Sequence, residues 1–254
     1  MQAMTPLPDA AAQVGTVRVE LACAPLGSWA LAHCDFPLLR HCLVHNAGPA
    51  PVQDLLLHFA PVDAPLFAPR QCRIAHMGEY SDLRLSPLPL RCDAAFLAGL
   101  DAPRQVRVCV NAMQAGREVA RHTATLPLLP HNAWAGLGLC PESLAAFVRP
   151  GDPAVASLCA PLADSSASPA NPVQALQALR ASLSAQGFTA TPLSPDAVQA
   201  GQAMVSPAEA LAAKRASLLD MAVLGAAVLE RLGHRPVILL ARAQCLLGVW
   251  REGE

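Results

Sequence analysis

The residues able to act as nucleophiles, bases or metal ligands are nine cysteines and eight histidines in 254 residues. The cysteines are scattered singly, without a C-x-x-C pair, and an odd number argues against a disulfide framework. They read as small buried hydrophobes of a reducing compartment. His41, Cys42 and His45 are metal-ligating types in close succession. Placed on a strand, two residues four apart are separated by about 13 Å, too far to hold one ion directly. On a helix the same spacing would bring them together, but a solvent-facing strand edge is the expectation here. His33-Cys34 is an adjacent pair that a strand would turn to opposite faces, and it fits no ligand spacing. No metal and no cofactor are therefore expected. Gly136-Leu-Gly138 lacks the third glycine of a dinucleotide fingerprint. There is no G-x-x-x-x-G-K-[ST] loop to cradle phosphates and no G-x-S-x-G elbow. A single tyrosine, Tyr80, and three tryptophans give no stacking platform for single-stranded nucleic acid. Trp134 and Trp250 read as core or inter-domain anchors.

Composition narrows the class further. Hydrophobic residues make up 53% of the chain, enough for a sizeable core, while charged residues are only 15%. Lys214 is the only lysine among eighteen basic residues. The net charge of -1 leaves no footprint for direct nucleic-acid or anionic-membrane binding. The opening MQAMTPLPDAAAQ has neither a basic segment nor a long apolar one, so it does not read as a signal peptide. The longest apolar run, 221–229, is bounded by Asp220 and Glu230 and is too short to span a bilayer. A cytoplasmic protein is expected.

Two regions differ in pattern. Residues 14–130 read as β-structure. Alternation at 17–21, 39–45, 53–59, 105–111 and 118–126 predicts half-buried strands, with shorter candidates at 82–85 and 88–92. Asn46-Ala-Gly48 and Gln114-Ala-Gly116 supply turns. Six or seven short antiparallel strands suggest an immunoglobulin-like sandwich. Residues 131–254 read as α+β. A short helix is predicted at 141–147, and a second begins at Pro153 behind Asp152. Residues 164–171 form a polar loop, 172–186 show helical spacing closed by Gly187, and 189–204 read as irregular. Ser206, Pro207 and Glu209 make a capping box. A strongly apolar helix at 217–232 ends at Gly233, and strands follow at 237–241 and 246–250.

Several stretches of the second region carry a resemblance. Trp134-Ala-Gly136, Pro141-Glu-Ser-Leu-Ala-Ala-Phe-Val148, Pro150 and Asp152-Pro-Ala-Val155 come first. Gly201-Gln202, Ser206-Pro207, Leu219-Asp220, Gly233, Pro236-Val237 and Gly248-Val-Trp250 follow in order. The sequence resembles the N-terminal part of large bacterial proteins that join a β-sandwich, a transglutaminase-like domain and a superfamily 1 helicase with a nuclease-like end. The resemblance implies a fold in which a cysteine opens a buried helix, a histidine on a following strand activates it, and an aspartate orients the histidine. The family's cysteine lies two residues before the aspartate of Cys-Leu-Asp. Here Ala216-Ser-Leu-Leu-Asp220 puts Leu218 there. The family's histidine stands in Gly-His-Ala, and Ala243-Gln-Cys245 puts Gln244 there. The orienting aspartate would fall beyond Trp250.

Leu218 cannot form a thiolate, and Gln244 cannot shuttle a proton near neutral pH. A shift of one residue would put Ser217 at the nucleophile position, still without a base. The resemblance therefore implies a degenerate transglutaminase-like (papain-like) domain over 131–254 that is not an enzyme. The expected function is a non-catalytic protein- or peptide-interacting module, with Asp220, Gln244 and Trp250 as binding residues of the emptied cleft and the sandwich offering an edge strand. Two alternatives stand beside it. One is a divergent cysteine-dependent hydrolase using Cys245, whose nearest histidine in sequence is His234 in the turn Gly233-His-Arg-Pro236. The other is a fragment of a helicase-containing protein that processes nucleic acid or acts in phage defence.

Overall fold

A computed structural model describes residues 15–88, 90–163, 171–193, 195–241 and 244–250. The chain is mixed α+β with antiparallel sheets, and it divides into two compact units, Met1–His131 and Asn132–Glu254.

The first unit is built on seven strands: β1 (Val17–Cys23), β2 (Leu39–Asn46), β3 (Val52–Pro61), β4 (Arg70–Met77), β5 (Ser81–Leu85), β6 (Arg104–Gln114) and β7 (Arg117–Leu128). They form two antiparallel sheets, in the orders β1-β2-β5 and β4-β3-β6-β7. The period-2 pattern explains both. Val17, Val19 and Leu21 are buried on β1, and Val106, Val108 and Val110 on β6, while their neighbours Arg18, Glu20 and Arg107 are exposed. Each inward valine or leucine removed from water contributes about 1.5–3 kcal/mol. The two-residue turn after β6 is made by Ala115 and Gly116, both at positive φ, the conformation that matches the strand twist. Two short helices lie between strands, α1 (Trp29–His33) and α2 (Ala94–Ala98).

Several expectations change here. β4 carries no apolar alternation that would have announced it: only Ile74 and Met77 are buried. Residues 88–92 are not a strand among the described residues. Pro87 precedes them, and a Leu90 N–H to Leu88 carbonyl bond of 2.8 Å turns the chain instead. His33 ends α1 and Cys34 caps it, because Ser28 accepts from the Leu31 N–H and starts a helix there. β2 is the middle strand of its sheet rather than an edge, and Cys42 faces the core.

The second unit contains β8 (Ala133–Trp134), a 3-10 helix at Pro141–Phe147, α3 (Pro153–Ala163), α4 (Pro172–Ala185), β9 (Thr189–Thr191), α5 (Pro195–Ala200) and β10 (Gln202–Ala203). Then come α6 (Pro207–Ala213), β11 (Arg215–Ser217), α7 (Leu218–Arg231), β12 (Pro236–Ala241) and β13 (Gln244–Val249). The expected loop at 164–171 lies outside the described residues except for Asn171, whose side chain caps α4. The stretch expected to be irregular, 189–204, supplies β9, α5 and β10. Each is too short to show a period, and the two strands are held by distant partners: β9 pairs in parallel with β11, and β10 pairs antiparallel with β8.

α7 is the centre of this unit. Ten of its residues are buried, a wider face than one stripe, so it is enclosed by neighbours rather than laid on a surface. Leu224, Ala227 and Val228 pack with Val155, Leu158 and Leu179 from α3 and α4. On another side Leu247 of β13 lies against Gly225, where an added Cβ would come within 2.6 Å of it. No helix among the described residues is long and apolar enough to cross a membrane.

Candidate functional site

A cleft of the second unit opens at the start of α7, with a volume of about 550 Å³. Its walls are the 202–205 segment on one side and Arg215, Ala216 and Ser217 of β11 on the other. Two glycines lie beside the 202–205 segment in the pairing of β8 with β10. Gly136 and Gly201 both have positive φ, and the main chain crosses so closely that a Cβ on Gly201 would lie 2.0 Å from the Trp134 carbonyl oxygen. Only glycine fits there. Gln202 pairs with Trp134 across β10 and β8, so the two stretches Trp134-Ala-Gly136 and Gly201-Gln202 meet in space. Gly136 of the Gly136-Leu-Gly138 stretch is thereby explained by a close backbone crossing.

At the head of α7, Ser217 is the N-cap. Its hydroxyl donates to Asp220 Oδ2 at 2.7 Å and accepts from the Asp220 N–H at 3.1 Å and from Gln202 Nε2 at 3.0 Å. Asp220 is only 5% exposed. Its Oδ2 also accepts the Ser217 N–H, and its Oδ1 accepts the Val205 N–H at 3.0 Å. A carboxylate so placed satisfies three donors and sits at the positive end of the helix. Both groups are thus committed to the fold: the serine proton is held by Asp220, and the carboxylate ties the 205 wall to the helix. A Ser-x-x-Asp capping pattern was present in the sequence at 217–220, as Ser206 to Glu209 was, and would have marked Ser217 as structural. Leu218, the first residue of α7, points outward with 40% of its surface exposed.

The remaining expected site residues lie on the β12–β13 hairpin. Gln244 is exposed and pairs with Ala241 at the tip, beside residues 242 and 243, which lie outside the described residues. Trp250 is at the opposite end, its N–H bonded to the Arg235 carbonyl, and is 67% exposed rather than a core anchor. Six steps along the strand separate them by roughly 20 Å. Asp220, Gln244 and Trp250 are therefore not one cluster. Cys245 pairs with Leu240 near the tip, whereas His234 precedes β12 at the open end. Burial pushes the Cys245 thiol up to about 11, away from the thiolate a nucleophile needs.

Outside this unit, His45 Nδ1 lies 2.8 Å from Asp82, and His41 Nδ1 lies 3.2 Å from Arg84. The two histidines each have a separate neighbour on the outer face of their sheet. Trp134, expected in a core, is buried with 1% exposure. Thr191 and Arg215 line the cleft without any signal in the sequence, and Gln202, which stood in a resembling stretch, was not expected to line it. Pairing between remote short strands brings the three together.

No protein-family model matches the chain, and no curated protein matches it.

Proposed function

We propose that the protein is a non-catalytic module that binds a protein or peptide segment, with a second unit derived from a transglutaminase-like enzyme. The observation that carries this reading is the head of α7. The resemblance puts the nucleophile position at Leu218, a side chain with no ionisable atom that opens α7, and the neighbouring Ser217 hydroxyl is consumed by the cap. The expected base position holds Gln244. A helix opening at a cleft, followed by a hairpin whose strand packs on the middle of that helix, is the layout such a domain requires. The resemblance to the N-terminal part of large bacterial helicase-type proteins supports the same ancestry. Nine free cysteines accord with a reducing, cytoplasmic setting.

The first unit is proposed as an immunoglobulin-like sandwich. The division of its strands into two antiparallel sheets, β1-β2-β5 and β4-β3-β6-β7, supports that reading.

The test is enzymatic silence combined with binding. The purified chain is incubated with unfolded casein and a primary amine, and cleavage and cross-linking are followed by mass spectrometry. No turnover is expected from the wild-type chain or from Cys245→Ala. An activity present in the wild type and lost in Cys245→Ala would overturn the proposal in favour of a cysteine-dependent hydrolase.

A further inference from the structure

We infer that the cleft at the head of α7 takes a peptide segment through an acidic side chain, with Arg215 as its cationic partner. The inference rests on the reading of this unit as a peptide-binding module and specifies the chemistry of the occupant.

The argument is a count of uncommitted donors among the described residues. Gln202 spends its amide hydrogens on Ser217 Oγ at 3.0 Å and on the Met204 sulfur at 3.7 Å. The Ser217 hydroxyl donates to Asp220, and Thr191 Oγ1 donates to the Ala216 carbonyl. The N–H groups of Met204 and Val205 go to the Asn132 carbonyl and to Asp220. Arg215 differs from all of these. It lines the cleft, is exposed, and makes no ion pair among the described residues. The carboxylates on the same cleft are engaged elsewhere. Glu209 Oε2 accepts from the Ser206 N–H and hydroxyl, and Asp220 accepts three bonds. An entering ligand therefore meets one free fork of guanidinium donors, the Asn132 amide, which donates to the Met204 carbonyl, a Gln202 carbonyl, and an apolar wall of Ala203, Val205 and Ala213. A carboxylate matches the fork in charge and in planar geometry. The apolar wall suits small or aliphatic residues on either side of it. A basic segment would place its cation against Arg215, with no free carboxylate to receive it.

The experiment uses the full chain and three fluorescein-labelled nine-residue peptides of Ser, Thr, Gly and Leu, differing only in a central Asp, Asn or Lys. Fluorescence anisotropy is read at low and high salt. The Asp peptide is expected to bind about tenfold more tightly than the Asn peptide and to weaken with salt. The Lys peptide is expected to be weakest. Arg215→Glu, an exposed substitution, should reverse the order of Asp and Lys peptides, and Ala203→Trp should block all three by filling the cleft. Far-UV circular dichroism confirms that both variants are folded. Equal binding of the three peptides, unchanged in Arg215→Glu, would overturn the acidic preference and leave the peptide-binding reading standing. Binding unchanged in Ala203→Trp would place the peptide elsewhere and overturn the inference. No binding by any peptide would overturn both.

Discussion

The two units solve the problem of joining distant segments in opposite ways. The first uses long ladders: β6 and β7 run eleven and twelve residues and bury alternate side chains along their length. The second uses three two-stranded sheets, two of them with strands of two or three residues, gathered around one enclosed helix. In the ladder unit each strand contributes many equivalent contacts, so stability is spread. In the helical unit a few positions, the glycine crossing and the Ser217–Asp220 cap among them, hold segments that have little length of their own. Distributed side-chain packing should therefore be vulnerable to cavities, and the second unit to changes of backbone and cap.

The sharpest way to break this contrast is a cavity in the ladder unit. Phe59, 2% exposed on β3, should cost about 3–5 kcal/mol when replaced by alanine. Amide exchange read by mass spectrometry should show the loss across β3 and its neighbours β4 and β6. A smaller loss would mean that the core relaxes into the space. Next in size is Gly201→Ala, about 3 kcal/mol, since a positive φ and a 2.0 Å approach to a carbonyl oxygen cannot both be relieved by side-chain movement. Here protection should vanish first in β8 and β10, and an unchanged β8–β10 pair would refute the account of the crossing.

The third effect is a pH dependence that separates the units. Burial pushes Cys42 up to about 12 and Cys23 and Cys92 up to about 11, all in the first unit. In the second unit burial raises Cys245 to about 11 and also raises Cys159. A thiol whose folded pKa is raised keeps its full contribution below the unfolded value near 8.5 and loses it as the pH climbs toward the folded value. Under reducing conditions the first unit should lose on the order of 2 kcal/mol between pH 9 and 10. Denaturant melts at a series of pH values, with Cys42→Ala flattening the slope, check this. The smallest effect is at the cap: Ser217→Ala should cost about 1–2 kcal/mol, read as faster exchange at the start of α7. An unaltered first turn would mean that Asp220 holds it alone.

How much of this was legible in the sequence follows from the same contrast. Strands β1, β2, β3, β6 and β7 were visible because their alternation is long, and α4, α6 and α7 because caps and apolar spacing agree. The pairing of β9 with β11 and of β8 with β10 was not, since two or three residues carry no period. The proposed assignment of Leu218 to a former nucleophile position rests on resemblance alone. The bond from the Val205 N–H to Asp220, and the placement of Gln202 and Arg215 in one cleft, required coordinates, because they depend on contacts between segments far apart in the chain.

The three tryptophans occupy three unlike surroundings, and this gives the molecule a built-in set of optical reporters. Trp29 stacks on His33 with ring centroids 5.2 Å apart, which sets its surroundings apart from those of the other two. Trp134 is enclosed and should emit at short wavelength, unreachable by iodide. Trp250, 67% exposed beyond β13, should emit at long wavelength and be quenched first. A single iodide titration would thus read out the hairpin end apart from the rest of the chain.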